Sequence, residues 1–66
     1  MKILVDALGG DLAPHAVLAG ARNALNRKND LNLVVVGPKK ECEEELAKLK
    51  AELSRIEFIE IGRAHV

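Results

Sequence analysis

The residues best suited to chemistry lie close together near the start of the chain. Asp6 and Asp11 flank a Gly9-Gly10 pair. A glycine turn that leads into a helix exposes backbone N–H groups, and the helix N-terminus favours negative charge, so the segment has features of an anion site. Two carboxylates would repel a bare phosphate, so they fit a cation, a hydrogen-bonding substrate or the N–H groups of the loop. Asp11 is well placed to cap the helix, and Asp6 is the better functional candidate because it ends a strand at the ligand edge.

Each of these residues also has an ordinary structural interpretation. A bare Gly-Gly pair is weak evidence, since neither a Gly-x-Gly-x-x-Gly nor a Gly-Lys-Ser/Thr loop occurs, and its spacing alone favours a plain turn. His15 falls in the first turn of the predicted helix, where the helix dipole disfavours the protonated ring. That position suits a neutral donor or base, although most such histidines are simply exposed.

The remaining reactive side chains favour structural roles. Cys42 opens an apolar helical stripe, so a small buried hydrophobe is favoured over a nucleophile. Lys39 and Lys40 are interpreted as a solvated pair rather than a phosphate site. His65 lies in the terminal segment and receives no role, and the spacing of the His and Cys residues predicts no metal site.

The elements that must position these residues alternate between strand and helix. Short apolar runs predict strands at 2–6, 31–36 and 55–60, and apolar residues at helical spacing predict helices at 13–27 and 39–54. Continuous rather than alternating apolar runs are typical of parallel strands covered on both faces. The sequence therefore predicts an α/β chain of order βαβαβ with three parallel strands, a Rossmann-like arrangement.

Burial follows from the same periodicity. The first helix should bury Val17, Ala21, Ala24 and Leu25, with Gly20 packed closely against the sheet. Two helices on three strands should leave an apolar edge or face of the sheet uncovered. The other residues expected to be buried are Ile3, Val5, Val34, Val36, Leu46, Leu49 and Leu53.

The composition restricts the classes of protein to which the chain can belong. The chain has 66 residues, which allows one domain, and its ten basic and ten acidic residues cancel, giving no electrostatic basis for nucleic-acid binding. A single cysteine excludes a disulfide within the chain and suits a reducing cytoplasm. No apolar run approaches the ~20 residues of a membrane helix, and the first residues do not have the pattern of a signal peptide.

Two stretches carry a family resemblance. The run from Asp6 to Pro14, DALGGDLAP, resembles the N-terminus of the bacterial acyl-ACP:phosphate acyltransferases, and the run 30–37, DLNLVVVG, is similar to that family's second strand. The family usually has Met at the position of Leu8 and often a polar residue at that of Leu12. The resemblance covers 1–60 and implies an N-terminal fragment of a larger fold like those of phosphate acetyltransferase and isocitrate dehydrogenase.

The resemblance implies transfer of a fatty acyl group from acyl carrier protein to inorganic phosphate, which gives acyl phosphate for phospholipid synthesis. It implies that Asp6, Gly9, Gly10 and Asp11 bind substrate, while the catalytic residues lie in parts of the family's chain that are absent here. It also implies no cofactor, a homodimer at full length, a cytoplasmic or membrane-peripheral location, and a membrane acyltransferase as a downstream partner. The 66-residue chain alone should be inactive.

The terminal segment 61–66 departs from the resemblance. It matches the translation of a common sequencing adapter, so we interpret 1–60 as the native fragment and 61–66 as a non-native tail, with a genuine short tail as the alternative. Two other functional hypotheses remain open. One is a small non-catalytic module, either receiver-like or binding phosphate or nucleotide, and the other is a fragment without a function of its own.

Overall fold

The computed structural model describes residues 1–8 and 15–61 of the chain. Its elements are β1 (Lys2–Asp6), α1 (His15–Arg27), β2 (Asn32–Gly37), α2 (Lys39–Lys48) and β3 (Ile56–Glu60), with a short 3₁₀ turn at Leu53–Arg55. The strands form one sheet in the order β1-β2-β3, and both neighbouring pairs are parallel. The predicted βαβαβ architecture is thereby confirmed.

The ends of several elements differ from the prediction. β1 has the predicted bounds, whereas β2 begins and ends one residue later than expected and β3 begins one residue later. α1 ends at Arg27 as predicted, and its predicted start at 13 lies outside the described residues.

The largest difference is at the end of α2, which stops at Lys48 rather than at residue 54. Lys50 adopts a left-handed conformation with φ of 61°. The N–H groups of Lys50 and Ala51 then bond to the carbonyls of Ala47 and Leu46, which closes the helix in the manner of a Schellman motif. Leu49 and Leu53 nevertheless pack against the core, half-buried, so the apolar spacing runs on past the real end of the helix.

Both helices cover the same face of the sheet. The strand order β1-β2-β3 means that both crossover connections run in the same direction along the sheet. Because each crossover is right-handed, both helices lie on the same face. The buried residues of α1 are Leu18, Ala21 and Leu25. Ala21 and Leu25 were predicted to be buried, whereas Val17 and Ala24, which were also predicted, are only half-buried and Leu18 takes the place of Val17. The other core residues include Leu31, Leu33, Val35, Cys42, Leu46 and Ile56.

Gly20 does not have the role predicted for it. It is exposed, and a Cβ built on it would meet no atom within 4 Å, so close packing against the sheet is excluded as its explanation.

Within residues 1–8 and 15–61, no helix covers the opposite face of the sheet. Side chains alternate between faces along a strand, which places Leu4, Val34 and Ile59 on this side. Leu4 is 64% exposed and Ile59 42%, whereas Val34, in the central strand, is only 8% exposed. The expected uncovered apolar surface is therefore present.

The burial predictions have a mixed outcome. Val34 and Leu46 are buried as expected. Val5 and Val36 are half-buried, as are Leu49 and Leu53. Ile3 was expected to be buried and is 44% exposed, because β1 is an edge strand in the described sheet.

Candidate functional site

The carboxyl ends of the three strands meet at one edge of the sheet. The strands end at Asp6, Gly37 and Glu60, and the register pairs Asp6 with Val36 and Gly37 with Glu60. Ligands of parallel α/β sheets bind outside this edge. Both helices begin here as well, so their positive N-terminal ends face the same side. We refer to this region as the carboxyl edge.

Asp6 has an observable structural role at the carboxyl edge. Its side chain is exposed, and its Oδ1 accepts a hydrogen bond from the Leu8 N–H at 2.9 Å. Ala7 between them is buried, and its N–H donates to the Val36 carbonyl at 2.9 Å. The chain therefore stays in the sheet through Ala7 and is turned at Leu8 by the Asp6 carboxylate. Asp6 thus fixes the direction in which the chain enters the glycine segment.

The other predicted substrate-binding residues, Gly9, Gly10 and Asp11, lie outside the described residues. Their assignment remains a prediction. Two residues that border the segment are described. Leu8 lies two residues after the end of β1, and His15 is the first residue of α1.

A second carboxylate at this edge was missed by sequence reasoning. The third strand was predicted to run to residue 60, but Glu60 was given no role; β3 does end in Glu60, and its Oε1 accepts the Lys39 N–H at 2.9 Å. This negative group sits at the positive end of α2 and uses an N–H that a bound anion would otherwise take. The start of α2 is therefore partly satisfied from within the chain, which favours the α1 end for an anionic ligand.

Gly37 and Cys42 show how closely the elements approach here. A Cβ on Gly37 would lie 3.3 Å from the Ala7 Cβ and 3.5 Å from the Cys42 Sγ. Cys42 is fully buried, and burial raises the pKa of its thiol, with the negative charges of Glu41 and Glu60 adding to the effect. The thiol is therefore protonated near neutral pH, which confirms the small buried hydrophobe and argues against a nucleophile.

His15 has a partner that its sequence position did not indicate. Its Nδ1 contacts the Oε2 of Glu45, which lies on α2. The imidazole is exposed, whereas the Glu45 side chain is largely covered. His15 thus joins the two helices. Within residues 1–8 and 15–61, no three His, Cys, Asp or Glu side chains form a group that could hold a metal ion.

Two shallow surface hollows lie away from the carboxyl edge. One, of about 500 Å³, follows α1 from Gly20 to Lys28. The other, of about 330 Å³, lies at the amino end of the sheet beside Asn32 and Arg55. Neither adjoins Asp6. Among the described helices, none has the length and apolar character needed to cross a membrane.

Comparison with known proteins gives a consistent set of relatives. A family model described as "Fatty acid synthesis protein" matches residues 1–63. The phosphate acyltransferases of Clostridium novyi and Clostridium tetani are 35% and 42% identical to the chain over 60 residues, which is 91% of this chain and 18% of each relative. That of Clostridium beijerinckii is 48% identical over 48 residues, 73% of this chain and 14% of the relative. The chain thus spans less than a fifth of these relatives.

Proposed function

The chain belongs to the fatty acid synthesis protein family, and from this membership we propose that it is part of a phosphate acyltransferase. The observation that carries the proposal is the match to proteins of that name over 91% of the chain. The proposed reaction transfers a fatty acyl group from acyl carrier protein to inorganic phosphate. A phosphate oxygen attacks the thioester carbonyl carbon, the C–S bond breaks, and the carrier thiol leaves with a proton as acyl phosphate forms.

In this proposal the chain contributes the phosphate side of the site. The Gly9-Gly10 segment offers backbone N–H groups to the anion, and the N-terminus of α1 adds its positive end. Asp6 orients that segment through its bond to the Leu8 N–H. Positioning of this kind supplies much of the rate in reactions between two bound substrates. The reacting carbonyl and its oxyanion would be held by parts of the longer protein.

The proposed partners follow from the reaction. They are acyl carrier protein and phosphate as substrates, a membrane acyltransferase that consumes the acyl phosphate, and a second subunit of the full-length enzyme. The cytoplasm, with contact to the membrane surface, is the proposed location. No nucleic acid is involved, in keeping with the equal numbers of acidic and basic residues.

The first experiment measures acyl phosphate, trapped as its hydroxamate, from acyl carrier protein thioester and phosphate. The 66-residue chain alone should give none, because most of the site is missing, whereas the full-length protein encoded by the same source should give product. A full-length protein that makes no acyl phosphate would overturn the proposed reaction. Phosphate binding by the 66-residue chain with no turnover in the full-length protein would instead favour the non-catalytic module.

The second experiment tests the place of the site. In the full-length protein, Asp6→Asn should lower turnover by about 10–100-fold, since small displacements of a reacting group have effects of this size. Asparagine replaces the charge-assisted hydrogen bond from the Leu8 N–H by a weaker neutral one, so the turn is held less tightly and the glycine segment can shift. Cys42→Ala and Lys39→Ala are the controls and should retain most of the activity. If Asp6→Asn kept full activity and an unchanged melting temperature, the substrate site would not lie at this turn.

A further inference from the structure

Buried apolar packing does not reach the first residues of α1. The first buried residue of the helix is Leu18, which lies three positions after the helix begins at His15. His15 and Ala16 are exposed, and Val17 is half-buried. The core therefore holds α1 from Leu18 onward, and the position of the residues before it depends on other contacts.

A hydrogen bond to α2 holds the start of α1. The Nδ1–H of His15 donates to the Oε2 of Glu45, since a carboxylate can only accept. The Glu45 side chain is only 24% exposed, and covering a carboxylate is costly unless it is paired. Its neighbours Glu43 and Glu44 are exposed. Glu45 is thus the covered member of this acidic run, and its partner is the side chain at the start of α1.

The start of α1 is also where the proposed function places part of the phosphate site. The first N–H groups of a helix have no partner within it, and they point toward an anion at its N-terminus. A displacement of the first turn of α1 would therefore move groups that are proposed to contact phosphate. Glu45 lies on a different element, α2, and restrains that displacement through His15.

A second polar contact between the two helices offers a comparison. The Nη1 of Arg22 donates to the Leu49 carbonyl at 3.4 Å, about two turns further along α1 than His15. Loss of either contact should weaken the packing of α1 against α2. Only loss of the contact between His15 and Glu45 acts on the first turn of α1, so the two contacts separate an effect on the position of that turn from an effect on stability.

We propose that Glu45 is a positioning residue for phosphate. By accepting the His15 N–H, it holds the first turn of α1 where the helix meets the anion. Glu45 does not touch the phosphate in this proposal and acts only through His15. The inference rests on the proposed function, because the phosphate is the one consumed in the proposed reaction.

Steady-state kinetics of the full-length protein test the proposal. Glu45→Met removes the acceptor and His15→Ala removes the donor. Each should raise the KM for phosphate by about 5–20-fold, because small displacements of a bound group have effects of this order, and leave the KM for the acyl carrier protein thioester unchanged. The double variant should be no worse than either single one, because both substitutions break the same bond. His15→Asn keeps an N–H donor near the position of Nδ1 and should restore most of the affinity for phosphate.

Two control variants separate positioning from stability. Arg22→Met removes the other polar contact between the helices, and Glu44→Met makes the matched change at an exposed neighbouring position. Both should keep the parental KM for phosphate. A variant that is only less stable has fewer active molecules, which lowers the apparent kcat and leaves the KM unchanged. A parental KM for phosphate in Glu45→Met, or an equal rise in Arg22→Met, would overturn the proposal.

Phosphate binding distinguishes failure of this inference from failure of the proposed function. Equilibrium dialysis with radiolabelled inorganic phosphate measures the Kd of the full-length protein without turnover. If the parent binds phosphate but makes no acyl phosphate, the proposed reaction fails, and a Kd raised in Glu45→Met by the factor expected for the KM would still support the positioning role. A parent that binds no phosphate, or a Glu45→Met variant with the parental Kd, would overturn the inference.

Discussion

Arg55 should be the most sensitive single position in the described part of the chain. Its guanidinium donates to the Leu31 carbonyl from Nε at 3.0 Å and from Nη2 at 2.8 Å. It also donates to the carbonyl of Leu25 at 3.2 Å and to that of Lys28. One side chain at the start of β3 thus closes the end of α1 and the loop that leads to β2.

The size of the effect follows from these contacts. The last carbonyls of a helix have no partner within it, and a hydrogen bond to a charged group contributes about 1.5–3 kcal/mol. The Arg55 side chain is 19% exposed, so water can replace some of its hydrogen bonds when the side chain is removed. The free energies of the separate hydrogen bonds should therefore not add fully. We expect Arg55→Ala to cost about 2–3 kcal/mol, a large share of the ~3–5 kcal/mol available to a core of this size. The pair with the exposed Glu52 adds less than about 1 kcal/mol.

Urea and thermal unfolding at micromolar concentration, followed by circular dichroism, measure this cost. The melting temperature should fall by about 10–20 °C. Arg55→Lys should lose roughly half as much, because one ammonium group cannot donate to three separate carbonyls at once. Arg27→Ala, at an exposed position in the last turn of α1, is the matched control and should cost less than about 1 kcal/mol. An Arg55→Ala chain that melts within two or three degrees of the parent, or no lower than Arg27→Ala, would refute the proposed closure.

The remaining predictions concern the packing of two glycines and the buried thiol of Cys42. Gly37→Ala should destabilise the chain by about 1–3 kcal/mol because the new Cβ would contact Ala7. Gly20 is exposed within α1, so Gly20→Ala should stabilise the chain by about 0.5–1 kcal/mol. The test is that the two substitutions shift the melting temperature in opposite directions. Iodoacetamide should alkylate Cys42 at pH 8 only as the chain unfolds in urea. Since the pKa of Cys42 is raised in the folded state above its ordinary 9.0, its contribution to stability should be lost as the pH rises beyond that value, and a Cys42→Ala chain should lack this alkaline loss.

Local patterns were sufficient to predict the elements and their order. β1 was predicted to the residue, and the parallel order follows from alternating strands and helices. The end of α2 was missed because no glycine or proline marks it. Lys50 takes the left-handed position instead, and Leu49 and Leu53 continue the apolar spacing after the helix has ended. Periodicity records which residues face the core, and here the core extends beyond the helix.

The error at Ile3 has a different origin. The continuous apolar pattern of β1 is the same kind of signal as that of β2, and Val35 of β2 is almost fully buried. A strand's composition reflects the neighbours it has in the complete protein, so the pattern is right about burial only where those neighbours are present. The exposed Leu4 and Ile3 are therefore informative, because they mark where the described sheet and the composition of β1 disagree.

Some contacts at the candidate site join residues close in sequence and others join residues far apart, and only the former could be predicted from the sequence. The observed contact of Asp6 is local, since its partner, the Leu8 N–H, lies two residues away, and a bond to the loop N–H groups was one of the three roles left open for this carboxylate. Glu60 was not accessible, because its partner Lys39 is 21 residues distant and the contact depends on the register of β3 against β2. The contact of His15 with Glu45 spans 30 residues and depends on how the helices pack. Asp6, Glu60 and both helix starts lie at the same edge of the sheet, and the ligand site proposed at this edge stays a prediction.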